Sequence, residues 1–187
     1  MCGICGTVGM ADDAVVKRMT QRLRHRGPDD EGYYVDQTAA LGMVRLSIID
    51  LASGRQPIAD EQKRYQLIFN GEIYNYLDLR RQLEARGHRF TTKSDTEVIV
   101  HLYEDHQERC VELLNGDFAL AIWDTVEQRL FLARDRLGVK PLYYWHEGKQ
   151  LAFASELKAL LCLPQVSKQL DDKALDRYLT LLYIPAP

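Results

Sequence analysis

The sequence predicts an α+β layered domain, and three observations carry this prediction. Short apolar runs of strand length recur along the chain, and amphipathic segments with helical spacing separate them. Polar turns join several of the runs, which is typical of antiparallel hairpins. The composition, with 46% hydrophobic and 27% charged residues, is that of an ordinary globular protein. These patterns alone do not select one topology.

The first third of the chain predicts one helix among three strands. Residues 3–9 alternate glycines with apolar residues, which indicates a short strand that other backbone or a ligand can approach closely. Apolar residues then recur at helical spacing over 15–23, and the Gly27-Pro28 breaker follows that helix. Strand-like runs come next at 32–35 and 40–49.

The middle of the chain predicts a strand and two helices. The strand covers 66–69 and ends at Asn70-Gly71, a dipeptide that is a strong turn signal. A helix with leucines over 77–83 stops at Gly87. Residues 94–97 read Ser-Asp-Thr-Glu, the pattern of a capping box, and predict the start of a second helix.

The last third predicts four strands and a final helix. Strands at 118–123 and 129–133 are joined by a polar turn, and those at 142–145 and 150–154 by a second one. The first of these runs is apolar on both faces, which indicates burial between layers. A final helix is predicted over 170–183.

Charge and hydropathy exclude several classes of protein. The formal net charge is −3, and no basic stripe indicates nucleic acid or an anionic membrane as a partner. The sequence has no secretory signal pattern and no apolar run near the roughly 18–20 residues that span a bilayer. We therefore expect a cytoplasmic protein without nucleic-acid or membrane partners.

The cysteines and histidines predict no metal site. Cys2 and Cys5 form a C-x-x-C pair, which is compatible with redox chemistry or half of a zinc site. No second cysteine pair completes a zinc site, and a strand turns residues three apart to opposite faces. The five histidines also form no H-E-x-x-H pattern. We expect reduced thiols and surface or core histidines.

Cys2 is the first candidate catalytic residue. A small residue after Met1 allows aminopeptidase to remove that methionine, which leaves a thiol and an α-amine on one terminal residue. Thiols have a pKa of about 8.5 and α-amines of about 7.7–8.0, so the amine can accept a proton at neutral pH. An N-terminal amine is a recognised base for its own side-chain nucleophile. On position alone, a small strand residue remains an equal alternative.

Five short motifs occur in a fixed order along the chain. They are Met1-Cys2-Gly3-Ile4, Arg24-His25-Arg26-Gly27-Pro28-Asp29, Arg45-Leu46-Ser47-Ile48-Ile49-Asp50, Phe69-Asn70-Gly71-Glu72-Ile73-Tyr74-Asn75 and Ser94-Asp95-Thr96-Glu97. Two later stretches, at 133–144 and 154–158, follow them. This ordered set resembles the N-terminal glutaminase domain of the asparagine synthetases that use glutamine, over essentially the whole chain.

The resemblance implies both a fold and a domain organisation. It places the chain among the N-terminal-nucleophile hydrolases and class II glutamine amidotransferases, whose fold is a four-layer αββα sandwich of two antiparallel sheets. The glutaminase domain is expected over 1–164. Residues 165–187 are expected to form a helix and a linker that lead into a C-terminal synthetase domain of the same chain.

By resemblance, three residues perform the chemistry. Cys2 is expected to be the nucleophile that attacks the glutamine amide. The side-chain amide of Asn70 and the backbone N–H of Gly71 are expected to bind the oxyanion, and glycine there is expected to let the substrate approach the backbone. For an isolated Asn-Gly pair, a simple hairpin turn is the competing interpretation.

The resemblance also implies a pocket for the zwitterionic end of glutamine. Arg45 matches the residue that binds the α-carboxylate, a task that suits the planar guanidinium. Glu72 and Asp95 match the residues that receive the α-ammonium group, and Ile48 and Ile49 are expected to contribute backbone groups beside them. Taken singly, Arg45 could be a solvated strand residue and Asp95 a carboxylate favoured at a helix start.

The function implied is hydrolysis of L-glutamine to glutamate and ammonia. In the family, ammonia passes to a synthetase domain that activates aspartate with ATP and Mg²⁺. Residues 1–187 contain no Ser-Gly-Gly pyrophosphate loop, so no cofactor or metal site is expected within them. The alternatives are an amidotransferase with another acceptor and, if Met1 is retained, a non-catalytic binding module. A homodimer is left open.

Two charged loops lack a catalytic role in this interpretation. Arg26 and Asp29 flank Gly27-Pro28 and are predicted to organise and gate a loop near the site. The run over 134–141 is predicted to brace a turn with paired charges.

Overall fold

Two antiparallel sheets lie face to face at the centre of the protein, and helices cover their outer faces. The computed structural model describes residues 1–47, 50 and 53–185. The strands are β1 (Gly3–Val8), β2 (Asp30–Val35), β3 (Ala39–Arg45), β4 (Ile58–Ala59), β5 (Tyr65–Ile73), β6 (Gly116–Asp124), β7 (Arg129–Arg134), β8 (Tyr143–Glu147) and β9 (Gln150–Ala154). The α-helices are α1 (Asp13–Leu23), α2 (Tyr76–Ala85), α3 (Glu97–His106), α4 (Leu157–Leu160) and α5 (Asp172–Leu181).

The strand order places the first strand, β1, beside the last strand, β9. The first sheet has the order β2-β3-β1-β9-β8 and the second β4-β5-β6-β7, with antiparallel pairing throughout. The N-terminal strand β1 lies in the middle of the first sheet, between β3 and β9. Central placement fixes the position of the residues that precede it.

Three apolar clusters correspond to the three contacts between the four layers. Between the sheets lie buried side chains from both, among them Ile4, Leu41, Met43, Ile68, Trp123 and Phe153. The outer face of the first sheet packs against α1 and α4, and that of the second against α2 and α3. The predicted αββα sandwich is therefore confirmed. Strands buried on both faces explain why many apolar runs did not alternate.

The Asn70-Gly71 pair lies within a strand, so the predicted turn is wrong. β5 continues to Ile73, and Asn70 and Gly71 pair with Ala119 and Phe118 of β6. Tertiary pairing along the full length of β6 overrides the local turn preference of the dipeptide.

Two other local predictions also need correction. β3 ends at Arg45, whereas the strand was predicted over 40–49; Ile48 and Ile49 lie outside the described residues. The predicted capping box does not form, because α3 begins at Glu97 and this carboxylate accepts hydrogen bonds from Thr91 and Thr92.

The last helix stands apart from the three apolar clusters. All residues of α5 are exposed or half-buried. Exposed apolar side chains recur at the spacing of one helix face in α5 and at the residue that follows it: Leu175, Tyr178, Leu179 and Leu182. Within the described part of the chain, no helix is long and apolar enough to cross a membrane.

Candidate active site

Strand alternation carries three polar side chains onto the inner faces of the two sheets. Successive side chains in a strand point to opposite faces, so residues two apart share a face. Each of the three polar residues lies two positions from a residue of the inter-sheet cluster: Cys2 directly precedes β1, Arg45 ends β3, and Asn70 lies within β5. The pairs are Ile4 and Cys2, Met43 and Arg45, and Ile68 and Asn70. A polar site therefore forms where the apolar space between the sheets ends.

A cavity of about 90 Å³ opens at this end of the sandwich. Its walls contain all the predicted site residues that the structure describes: Cys2, Arg45, Asn70, Gly71, Glu72 and Asp95. Ile48 and Ile49 are not among the described residues, so their predicted contribution stays a prediction. The remaining lining residues are Met1, Leu46, Gln56, Phe69, Ser94, Thr96 and Lys140.

The Cys2 thiol is half-buried and is held by backbone groups. The Sγ of Cys2 accepts a hydrogen bond from the Leu46 N–H at 3.4 Å. The backbone carbonyl of Cys2 accepts one from the side-chain Nε of Arg26 at 2.8 Å. Burial raises the pKa of the Cys2 thiol, while the Leu46 N–H, the chain's amino terminus and Arg45 oppose that rise. The net shift keeps the thiol neutral near pH 7, so a proton must leave it during nucleophilic attack.

Asn70 places an unpartnered amide in the cavity wall. Its side chain is 1% exposed, and Nδ2 has no hydrogen-bond partner among residues 1–47, 50 and 53–185. A buried donor left unsatisfied costs about 1–3 kcal/mol, so native proteins seldom keep one without a functional reason. The amide is thus available to a ligand.

The backbone N–H of Gly71 points away from β6. Phe118 of β6 lies opposite Gly71, but its carbonyl accepts a hydrogen bond from the N–H of Asp135, the residue after β7. Gly71 and Phe118 are therefore a pair that does not exchange hydrogen bonds. The Gly71 N–H therefore points to the other edge of β5. The two neighbouring N–H groups on that edge already have side-chain acceptors. The Phe69 N–H donates to Gln56 at 2.6 Å, and the Ile73 N–H donates to Asp95 at 2.9 Å.

Glycine at position 71 has a structural reason different from the predicted one. A Cβ there would lie 2.2 Å from the carbonyl oxygen of Asp117 and 2.8 Å from the Cα of Phe118. Close approach of the β6 backbone by itself requires glycine at this position, and the predicted approach of the substrate to this backbone stays a prediction.

Opposite charges face each other across the cavity. Arg45 is 5% exposed, and its Nη2 donates to the carbonyl of Asp50 at 2.7 Å. Asp95 is also buried, Glu72 is exposed, and both contribute to the wall. Burial raises the pKa of Asp95, although the Ile73 N–H and the Ser94 hydroxyl act in the other direction. A cationic group beside Asp95 would restore its ionised form.

Asp50 is a positioning residue that sequence reasoning did not identify. Its carbonyl holds Arg45, and its carboxylate accepts from the N–H of Lys93 at 2.7 Å and from Ser53. These hydrogen bonds lower the pKa of Asp50 to about 2. One residue thus links the cationic wall to the segment that precedes Asp95. The motif over 45–50 contained it, but a motif does not reveal contacts over 43 residues of sequence.

The loop with Arg26 and Asp29 lies next to Cys2 and the end of β3, and its predicted role as a gate stays a prediction. Arg26 connects the Cys2 carbonyl to Glu156, because Nη1 of Arg26 lies 3.0 Å from the Glu156 carboxylate. Asp29 accepts from the N–H of Ser47 at 2.8 Å. A Cβ on Gly27 would lie 2.6 Å from the Arg45 backbone, so this loop presses closely against the end of β3.

The turn after β7 supplies a cavity residue that the sequence interpretation missed. Asp135 accepts the N–H groups of Leu137, Val139 and Lys140, so backbone hydrogen bonds, rather than paired charges, brace the turn. The turn brings Lys140 to the cavity wall. Gln56 is a second missed lining residue, and only the tertiary structure brings either of them to the site.

A cysteine at the second position, a carboxylate–guanidinium pocket and an αββα sandwich define a class. These are the features of an N-terminal-nucleophile amidohydrolase. The chain belongs to the glutamine amidotransferase domain family, whose sequence model matches residues 1–187.

Relatives and solved structures agree with this family. Asparagine synthetase [glutamine-hydrolyzing] 1 of Bacillus subtilis is 43% identical over 100% of this chain and 30% of that protein. Asparagine synthetase [glutamine-hydrolyzing] 3 of the same organism is 47% identical over 91% of the chain and 29% of that protein. The chain thus spans less than a third of these relatives. Glutamine phosphoribosylpyrophosphate amidotransferase from B. subtilis, solved with ADP and GMP, superposes with a TM-score of 0.74 at 25% identity, over 86% of this chain and 43% of that one.

Proposed function

We propose that this chain hydrolyses L-glutamine to glutamate and ammonia as the glutaminase part of an asparagine synthetase-like enzyme. The observation that carries the proposal is the unpartnered Asn70 amide in the cavity that also contains the Cys2 thiol. A buried donor next to a nucleophile is what a reaction with a developing oxyanion requires. The names of the relatives, which are glutamine-hydrolysing asparagine synthetases, support the same reaction.

Cys2 is the proposed nucleophile, and its own α-amine the proposed base. Met1 lines the cavity, so its removal would leave the Cys2 amine beside the substrate. The amine takes the thiol proton while Sγ bonds to the amide carbon of glutamine. The C–N bond then breaks, and ammonia leaves with the transferred proton. Water cleaves the resulting thioester, which releases glutamate and restores the thiol.

Asn70 and Gly71 are the proposed oxyanion donors. The Asn70 Nδ2 is unpartnered in the described structure, and the Gly71 N–H lies on the edge of β5 between two N–H groups that already have acceptors. Both donors are held by β5, which is paired with β6 along its whole length. Donors fixed in this way need little reorganisation when negative charge develops on the carbonyl oxygen.

The charged walls are the proposed pocket for the amino-acid end of glutamine. Arg45 binds the α-carboxylate, while Asp95 and Glu72 receive the α-ammonium group. Backbone groups of Ile48 and Ile49 are proposed to complete this pocket. A free amino acid is a zwitterion, so facing charges of opposite sign select it over a neutral amide.

Arg45→Ala is expected to raise the Michaelis constant for glutamine about 10–100-fold and to change kcat little. A hydrogen bond to a charged group contributes about 1.5–3 kcal/mol, and this one is made equally in the ground state and the transition state. Steady-state kinetics of glutamate release would measure the split. Arg55→Ala, at a side chain that is 79% exposed, is the matched control and should leave both constants unchanged. An unchanged Michaelis constant in Arg45→Ala would remove Arg45 from the pocket.

The rest of the proposed enzyme lies beyond this domain. We propose that residues 165–187 lead into a C-terminal synthetase domain that uses ATP and Mg²⁺ to amidate aspartate. The exposed apolar face of α5, with Leu175, Leu179 and Leu182, fits such a neighbour. No cofactor that takes part in the reaction is proposed for residues 1–187. A different acceptor is the alternative for the second half-reaction, and a homodimer is compatible with the same surface.

The cytoplasm is the proposed compartment. Cys2, Cys5, Cys110 and Cys162 form no disulfide in the described part of the chain. Free thiols, one of them the nucleophile, fit a reducing environment.

The first experiment is to measure glutamate release from glutamine after mass spectrometry has confirmed the loss of Met1. We expect turnover by the processed chain and none by a matched sample that keeps Met1, because a peptide bond removes the basic amine. Glutamine that binds without turnover in the processed sample would favour the non-catalytic module. Asparagine formation by the longer protein, with aspartate and ATP, tests the acceptor separately.

A further inference from the structure

Four metal-ligating side chains meet on the outer side of α3, away from the cavity. They are Glu61 from the loop after β4, His88 from the loop after α2, and His101 and Glu104 from α3. One ligand atom from each lies within 4.8 Å of the other three. Because three separate segments contribute, no spacing in the sequence indicated this cluster, and the histidines were expected at ordinary surface or core positions.

Three of the six separations between the ligand atoms are close to those in a tetrahedral site, and the other three are within 4.8 Å. Nδ1 of His101 lies 2.8 Å from Glu104 and 3.8 Å from Glu61, and Nδ1 of His88 lies 3.5 Å from Glu104. Metal–ligand bonds of about 2.0–2.1 Å give tetrahedron edges of about 3.4 Å. Shifts of about half an ångström would bring all three pairs to this separation.

Both imidazoles have a carboxylate on the nitrogen that faces away from the cluster. Nε2 of His88 is 3.1 Å from Asp105 Oδ1, and Nε2 of His101 is 3.9 Å from Glu97 Oε1. Metal-bound histidines usually direct their second N–H at such a group, which fixes the tautomer with Nδ1 free to bind. His88 makes such a contact, whereas the Nε2 of His101, a residue that is 1% exposed, has no hydrogen-bond partner within the described residues and its Nδ1 contacts Glu104 at 2.8 Å.

The cluster also carries an excess of negative charge. Four carboxylates surround the two imidazoles, those of Glu61, Glu97, Glu104 and Asp105. Arg86 pairs with Asp105 at 2.9 Å and compensates one of them. A divalent cation would neutralise most of the remainder. The Glu61 side chain is 39% exposed and leaves a path from solvent.

We propose that Glu61, His88, His101 and Glu104 form a structural binding site for a transition-metal ion, with Zn²⁺ as the best fit. Two imidazoles and two carboxylates are ligands that Zn²⁺ accepts in tetrahedral geometry, whereas Mg²⁺ and Ca²⁺ prefer oxygen alone. Four protein ligands leave no open position, so the ion supports structure and not chemistry.

The consequence of this site would be a fixed link between α3 and the loop that leads to Asp95. His88 precedes this loop, and Glu97 holds its threonines, Thr91 and Thr92, from the start of α3. An ion that joins His88 to α3 closes the loop at its other end. Hydrogen exchange of residues 86–96 should therefore slow when Zn²⁺ is added.

The test is Zn²⁺ binding by the metal-stripped protein, measured by competition with a coloured chelator. We expect one ion per chain, a higher Tm with Zn²⁺, and no competition from Mg²⁺ or Ca²⁺. His88→Gln and Glu61→Gln should each weaken binding at least tenfold, because each removes a ligand. Glu61→Gln retains an oxygen for the Arg89 N–H, which Glu61 accepts at 3.1 Å, so the loop should stay folded.

Two controls separate this site from adventitious binding. His146→Gln, on the exposed strand β8, should bind Zn²⁺ as the wild type does. Cys2→Ala should do the same and excludes the nucleophile as the ligand. Co²⁺ should give visible d–d bands without the near-ultraviolet band of a thiolate ligand. The proposal is overturned if the wild type binds no Zn²⁺, or if His88→Gln and Glu61→Gln bind it as tightly as His146→Gln does.

Discussion

Cys2→Ala is expected to abolish glutamate release, with a loss of at least about 10⁴-fold in kcat. Removing the nucleophile of a comparable hydrolase lowers kcat by about 10⁶-fold, because binding and oxyanion stabilisation alone replace little of the covalent route. The measurement is the steady-state rate at saturating glutamine, with product detected by an assay that is sensitive to one turnover per hour.

The matched control for this prediction is a second thiol. Cys162→Ala removes a half-buried cysteine on the far side of the first sheet and should retain full activity. Cys2→Ala should keep its Tm within a few degrees, since within the described residues the hydrogen bonds of the thiol are the two long ones with Leu46. Glutamine should still raise that Tm, as the pocket for the amino-acid end is intact. Wild-type turnover in Cys2→Ala would disprove covalent catalysis by this residue.

Much of the fold could be predicted from the sequence because each layer leaves a local signature. The helical spacing over 15–23 and the apolar run over 118–123 marked elements that the structure confirms as α1 and β6. The two-residue strand β4 and the single-turn helix α4 were missed, since elements this short leave no periodicity to detect.

The site was predictable only in part, because the sequence does not show which strands pair with each other. Alternation within a strand could have put Cys2 on the same face as Ile4, because both lie on one run of chain. It could not show that β1 pairs with β3, which brings the end carrying Arg45 beside Cys2. The motif resemblance supplied the names of the residues but not contacts such as the one between Asp50 and Lys93.

The sequence did not reveal the cluster of Glu61, His88, His101 and Glu104 for the same reason. Its four side chains come from positions 61, 88, 101 and 104, and only the packing of α3 between two loops brings them together. Local spacing identifies a metal site when one segment supplies several ligands; here the pair on α3 is too common in helices to be informative. Long-range contacts are thus the common cause of what the sequence did not reveal.

Asn70→Ala is expected to lower kcat about 10²–10³-fold without a comparable loss of stability. One oxyanion donor contributes about 2.7–4 kcal/mol to the transition state, and the Michaelis constant should change much less. The Nδ2 of Asn70 has no partner in the described structure, so its removal breaks no hydrogen bond of that group. We expect the free energy of unfolding in urea to change by less than about 1 kcal/mol.

Asn75→Ala is the matched control, because the same motif contains an asparagine with the opposite role. The Asn75 amide donates to the carbonyl of Leu113 at 2.9 Å and accepts from the N–H of Asn115 at 3.0 Å. Its loss should lower the free energy of unfolding by about 1 kcal/mol or more and leave kcat nearly unchanged. A structural role for Asn70 predicts instead that both variants lose stability alike. A stable Asn70→Ala with wild-type kcat would show that the unpartnered amide does not bind the oxyanion.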